Sequence, residues 1–345
     1  TANSEQRTAN SEQRTANRRI RIAFVATNSI TQGEQVAQLW PLLFDRYGLE
    51  IAFAHRTFSW GSEARGKAHV HVVIVGLAHR DHEPDEKRLF SYPDIKGDPV
   101  ESRHSALTAY LFDAKGVANR HLVVKKTRRS LSGQANIIIG SKPVDGGYLI
   151  FEPDEYQDLL TRDPAAVKLL RPYVGSREFI NGGNRWIAVL QSVEPNTLRQ
   201  HALLLERIQC VKRFRLGEIL AKLKKDDGED DEDVSEDSSE KPKTSKSKLK
   251  LAPTPTAFHV TVIPDSPYLA IPKVSSERRE YVPIGWLIPP TIASDLLFVF
   301  QNATLFDFGL LTSRAHMAWL GFFGGRLKSE GLSVILCARP VIVIR

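Results

Sequence analysis

Between residues 19 and 77 the apolar residues change period in a set order, and few folds accept that order. Residues 20–26 form a short, mostly apolar run suited to a buried strand. Asn28 and Ser29 follow as turn and cap residues. Val36, Leu39, Trp40, Leu43 and Phe44 then recur at helical spacing within residues 32–47, and Gly48 stops that helix as a C-cap glycine does. Residues 50–58 and the Val-rich residues 69–77 read as two strands joined by a polar loop. Strand, helix, strand, loop, strand is one side of a mixed α/β sheet, with its last two strands a hairpin.

The rest of the chain is less regular. Residues 79–135 are polar and irregular, with one short helix suggested by Ala106, Leu107, Tyr110 and Leu111. From residue 137 the pattern restarts. A turn is expected at Asp145-Gly146-Gly147, helices over 153–160 and 164–170, and a long helix over 198–223 carrying Arg207, Lys212, Arg213 and Arg215. Short strands are expected at 258–263, 268–271 and 281–288. Strand or helix segments follow at 292–302 and 313–328, and residues 331–345 are apolar and β-branched. This second region is α+β.

Two stretches do not suit a core. TANSEQR occupies 1–7 and 8–14 and begins again at 15–17 without an apolar seam position, so residues 1–18 read as a disordered repeat tail. Residues 226–250 hold Val234 as the one large apolar residue before Leu249. Acidic first, then rich in Lys, Ser and Pro, they read as a disordered insertion.

Composition restricts function. At 345 residues, 42% hydrophobic and 25% charged, the chain can bury one large core or two ordinary ones. It has no run of 18 apolar residues, so no membrane helix is expected. Cys210 and Cys337 are isolated and make neither a disulfide framework nor a zinc knuckle, which suits a reducing, cytoplasmic setting. The net charge is +7, but ten of the 40 acids fall in residues 226–240. Without residues 226–250 the balance is 42 basic against 30 acidic, or +12. The body of the chain is therefore basic, and nucleic acid is the commonest polyanion for it to attract.

Several chemistries leave no motif. Walker A, HExxH and GxSxG sequences are absent, and no Gly-rich strand-to-helix loop precedes the first strand. His69 and His71 share a strand face without a third ligand at useful spacing, so no metal is expected. Pro84-Asp85 with Asp94-Ile95-Lys96 can be forced into a nuclease-like pattern, but patterns this short arise by chance. The polar residues 27–36 lie at the C-terminal edge of a strand, where α/β ligand sites occur. They read equally well as a helix start capped by Ser29 or Thr31, with Glu34 closing a capping box.

One resemblance is specific. Asn28-Ser29-Ile30-Thr31-Gln32-Gly33-Glu34-Gln35-Val36, Leu39-Trp40-Pro41, Glu50-Ile51-Ala52-Phe53-Ala54-His55-Arg56-Thr57-Phe58-Ser59-Trp60 and Glu63-Ala64-Arg65-Gly66-Lys67-Ala68-His69-Val70-His71 occur in order. Val144-Asp145-Gly146-Gly147, Arg171-Pro172-Tyr173, Gly175-Ser176, Glu178-Phe179-Ile180 and Arg185-Trp186 continue the series. Val274-Ser275-Ser276-Glu277-Arg278-Arg279, Tyr281-Val282-Pro283-Ile284-Gly285 and Phe308-Gly309-Leu310-Leu311-Thr312-Ser313 extend it, and Gly325-Arg326-Leu327-Lys328-Ser329 completes it. Over roughly residues 19–329 the chain resembles the MmeI-like adenine-specific DNA methyltransferases of restriction–modification systems.

The resemblance implies a layout. Residues 19–80 would be the C-terminal part of a Rossmann-like α/β methyltransferase sheet, and 81–136 a connector. Residues 137–315 would be an α+β target-recognition domain interrupted by the insertion 226–250, and 316–345 the start of a C-terminal segment with a divergent tail. It also implies S-adenosylmethionine as cofactor of the full-length enzyme, double-stranded DNA as partner and the adenine N6 amino group as methyl acceptor. The family's cofactor motif and Asn-Pro-Pro-aromatic catalytic motif belong ahead of residue 19 and have no counterpart here. The expectation is a DNA-binding fragment, inactive alone, with no catalytic residue and no cofactor of its own, and with the missing methyltransferase portion as a further partner. A stand-alone DNA-binding module and the non-functional product of a truncated gene are the alternatives.

Methylating adenine requires flipping it from the duplex, and an aromatic side chain stacks on the extruded base. Phe58 and Trp60 are placed for that role, or else anchor their loop. Arg185, Arg207, Lys212, Arg213, Arg215, Arg278 and Arg279 are the candidate DNA contacts. Arg reads guanine bidentately but more often holds phosphate. Plainer readings stand beside these: Glu277 with Arg278 and Arg279 as an ion-pair cluster, and residues 212–215 as a solvated helix face.

Overall fold

The computed structural model of the chain describes residues 21–60, 70–125, 137–222, 245–276, 279–327 and 333–335. The repeat at 1–18, residues 226–244 of the insertion, His69, Glu277, Arg278 and most of the C-terminal tail lie outside the described residues. The chain divides into two compact units, residues 1–126 with 319–334, and 127–318 with 335–345.

The first unit is built on a five-stranded sheet. Its elements are β1 (Arg21–Thr27), α1 (Glu34–Pro41), β2 (Leu49–Trp60), β3 (Val70–His79), β4 (Lys87–Ser91) and β5 (Val100–His104). The strand order is β1-β3-β2-β4-β5. β3 runs antiparallel to both neighbours, β4 parallel to β2, and β5 antiparallel to β4. Val36, Trp40 and Phe44 form the buried stripe that the helical spacing promised, and they share a core with Ile51, Ala54, Val73, Val75 and Leu77. The indole N–H of Trp40 donates to the Ile30 carbonyl at 2.6 Å.

Four sequence expectations fail in this unit. The run read as a buried strand is β1, which lies at the edge of the sheet with Phe24 and Val25 exposed. No side-chain cap opens α1: its N-cap is Gly33 at φ 64°, after a 3-10 turn over Asn28–Thr31 in which Thr31 donates to the Asn28 carbonyl. A left-handed φ at a cap is open to glycine at little cost. Residues 79–135 are also not merely irregular. They contribute β4 and β5, whose sequence looks polar because Arg88 pairs with Glu101 and Arg103 with Glu86 across the strands. The helix suggested at Ala106–Leu111 is absent. Leu107, Ala109, Tyr110 and Leu111 are nonetheless buried, on a turn with Leu111 at φ 58°.

The second unit holds two four-stranded sheets. In one, β8 (Leu170–Val174) lies between Ile292–Ala293 and β9 (Trp186–Ala188), with β7 (Ile150–Phe151) beyond β9. In the other, β10 (Tyr268–Pro272) lies between Gly285–Leu287 and Leu297–Gln301, with β6 (Ile138–Ile139) outermost. Helices α2 (Pro153–Arg162), α3 (Ser176–Asn181) and α4 (Ala202–Leu216) accompany them. Phe151, Leu159, Tyr173, Ile187, Leu204, Ile208 and Val211 form the main core.

The expected helix at 164–170 is only a 3-10 turn, Ala166–Leu169, and Leu170 already begins β8. The long helix is shorter than its pattern. It starts at Ala202, after a separate turn at Pro195–Leu198, and ends where Gly217 adopts φ 77°. Residues 258–263 form one bridge, Val260 to Lys142, and of 281–288 only Gly285–Leu287 is a strand.

Candidate nucleic-acid interface

In the first unit β2 carries Phe53, His55, Phe58 and Trp60. Strict alternation would put His55 and Phe58 on opposite faces. The register with β3 shifts between them, and the extra residue of that bulge returns both to one side. The rings follow one another accordingly, His55 to Phe58 at 6.2 Å and Phe58 to Trp60 at 6.1 Å between centroids.

The neighbouring strand supplies the backing. Phe90 of β4, opposite His55 in the register, stacks on it at 4.2 Å and 9°. Tyr92, just past β4, stacks on Phe58 at 4.8 Å and 23°. Its hydroxyl lies 2.8 Å from His55 Nδ1. Burial lowers the His55 pKa below its ordinary 6.5, and the nearby Arg88 charge lowers it further. Trp60, at the end of the row, is 46% exposed. Beside the start of the row is a cavity of about 790 Å³ walled by Phe53, His55, Phe90 and Arg88. Phe53 lies so close over Gly76 that a Cβ there would meet the ring at 2.0 Å.

The basic candidates of the second unit separate by burial. Arg215 is fully buried. Its guanidinium donates five hydrogen bonds, to the carbonyls of Pro143, Val144, Leu251, Thr254 and Ala257. All its donors are spent inside the protein, so it cannot reach DNA and is a correction to the sequence reading. Arg185 donates to Glu178 Oε2 at 2.7 Å, an oxygen that also accepts from the Gly175 N–H. Arg207 donates to Glu155 and to the carbonyls of Tyr148 and Ile150, with its guanidinium 3.9 Å over the Phe151 ring. Burial works to raise the Glu155 pKa, but Lys222, the Glu152 N–H and Arg207 outweigh it and hold the carboxyl below its ordinary value. Both arginines thus brace local structure.

Lys212, Arg213 and Arg279 are exposed. Arg213 meets Glu218 at 3.4 Å, but both are half-exposed, and such a pair contributes little. Sequence reasoning missed His55, Phe90 and Tyr92, although the alternation Phe90-Ser91-Tyr92 was a visible strand signal. Among the described residues, no group of three His, Cys, Asp or Glu could hold a metal ion.

The first unit thus carries a row of aromatic rings on its sheet, and the second carries exposed cations. Residues 8–91 match the MmeI DNA-methyltransferase domain, and residues 118–331 match the MmeI target recognition domain. The chain belongs to the MmeI family of DNA methyltransferases with a target recognition domain. Among its relatives is DNA methyltransferase A of Bacillus subtilis (strain 168), 34% identical over 310 residues, which cover 90% of this chain and 31% of the relative. Among solved structures it is similar to the Type IIL restriction-modification enzyme MmeI in complex with DNA, with a TM-score of 0.76 and 36% identity. That match covers 91% of this chain and 38% of the MmeI chain. The chain therefore spans about a third of the length of the relatives it matches.

Proposed function

We propose that this chain is the DNA-binding, target-recognising part of an S-adenosylmethionine-dependent, adenine-N6-specific methyltransferase of a restriction–modification system, working in the cytoplasm on double-stranded DNA. The observation that carries this reading is the likeness to MmeI bound to DNA, which extends over nine-tenths of the chain. In this reading the first unit is the end of a Rossmann-like sheet, and Phe58 and Trp60 form the aromatic surface for an extruded adenine. Lys212, Arg213 and Arg279 contact phosphate, and Arg278, which precedes Arg279 in sequence, is a candidate of the same kind. Arg185 and Arg207 position the backbone of the recognition domain rather than touching bases.

In this reading S-adenosylmethionine is the cofactor of the full-length enzyme, and no site for it is assigned to this chain. Strand-to-helix glycines are where a cofactor would approach the backbone. The Gly175 N–H is taken by Glu178, and the residues before Gly33 are folded into a 3-10 turn. No step through the cofactor is assigned to this chain, and it does not methylate alone.

The purified chain should bind duplex DNA, measured by fluorescence anisotropy. Affinity should fall steeply between about 50 and 200 mM salt, as counterion release requires. Replacing Lys212 and Arg213 together by Ala should weaken binding on every sequence and flatten the salt slope. A well-folded chain that ignores DNA at low salt would sink the proposal and favour a product without function. Incorporation of labelled methyl groups into DNA by this chain alone would refute its inactivity.

A further inference from the structure

The two aromatic side chains of the β2 arm are not equivalent. Phe58 has its ring stacked on Tyr92 at 4.8 Å and 23°, whereas Trp60 projects one step further and is 46% exposed. Tyr92 is tied to His55 by the 2.8 Å contact between its hydroxyl and Nδ1. His55 is in turn stacked on Phe90 at 4.2 Å. The four rings His55, Phe90, Tyr92 and Phe58 form a continuous block spanning β2 and β4. That block covers the flank of β2 just before Trp60. A side chain that offers a face to a base loses less rotamer freedom on binding when the backbone beneath it is already fixed.

We propose that Tyr92 and His55 are positioning residues, which hold Phe58 and so fix the Trp60 arm in the attitude in which it stacks on an extruded base. This assignment rests on the reading of the chain as the base-handling part of a DNA methyltransferase. It adds a division of labour: the Phe58 and Trp60 surface faces the base, with Trp60 the more exposed ring, and side chains of β2 and the end of β4 hold it in place. The contact between the imidazole and the phenol ties β2 to the end of β4 behind Phe58.

The test uses the full chain and a DNA duplex carrying 2-aminopurine opposite an abasic site, a base that leaves the stack at little cost. Anisotropy reports binding, and the quenching of 2-aminopurine at saturating protein reports stacking. W60A should abolish most of the quenching. Y92A should lose at least half of it while the dissociation constant stays within about twofold, because the positioning residues touch no DNA. Y92F keeps the ring on Phe58 and should recover at least half of what Y92A loses. Urea unfolding of each variant separates this from general destabilisation, which would lower binding and quenching together. Full quenching in Y92A, with W60A defective, would overturn the positioning role and leave stacking intact. Full quenching in W60A, or binding by the unaltered chain without quenching, would overturn the stacking reading itself.

Discussion

Arg215 shows how residue type alone misleads. In sequence it belongs to a basic stretch with Lys212 and Arg213, and basic stretches attract DNA. In the structure its helical position points inward, and five carbonyls surround it. Those carbonyls come from residues 143–144 and from residues 251–257, so a single side chain ties the two segments together. Burial lowers its pKa, and the buried Asp145 carboxylate opposes that. Arg215→Met should therefore destabilise the chain by at least about 3 kcal/mol, since it strands several buried acceptors at once. Arg215→Lys should recover only part of this, having three donors in place of five. Urea denaturation reads both, and a Met variant as stable as the parent would refute the account.

At the scale of elements, the β2 arm depends on pairing that the local sequence does not announce. The spacing of Phe53, His55, Phe58 and Trp60 fits no uniform strand period, and the bulge between His55 and Phe58 reconciles it. The arm also carries a pH dependence. The folded His55 has a pKa below 6.5 because burial and Arg88 disfavour its charged form. The unfolded chain takes up a proton near pH 6.5 that the folded chain does not. Stability is therefore full above that pH, falls as the pH drops below it, and levels off once the folded ring is also protonated. Phe53, Phe58, Phe90 and Tyr92 pack around the His55 ring, Arg88 is the charged neighbour that lowers its pKa, and Asp81, Glu83, Asp85 and Glu86 line the far part of the same cavity. Urea midpoints measured from pH 7.5 to 5 should fall less in H55Q than in the parent. Burial also lowers the pKa of His316, in the second unit, and both proteins share that contribution.

At the scale of the whole molecule, the acidic run and the basic remainder differ in composition. The Arg215 hydrogen bonds fasten helix α4, which precedes the insertion, to residues 251–257, which follow it. Shortening a loop whose ends are already fixed changes stability little. Removing residues 226–240 deletes ten acids and no base. The shortened chain should unfold at the same urea concentration as the parent and bind duplex DNA more tightly at low salt, with the difference shrinking as salt rises. Loss of the folding transition on deletion would show that the insertion belongs to the core.

The sequence by itself determined the strand–helix–hairpin start, the buried stripe of α1, the basic body and the family, because each rests on local periodicity, composition or an ordered run of motifs. Only the tertiary structure decided which basic side chains remain exposed and which rings back the β2 arm. Exposure of Lys212 against burial of Arg215, three residues on, depends on what packs against each face of α4, and residues 251–257 arrive there from far along the chain. Likewise, β4 and β5 were hidden because their charges pair across strands, a cancellation that no single segment displays. Local pattern fixes what an element is, and long-range packing fixes what its side chains are free to do.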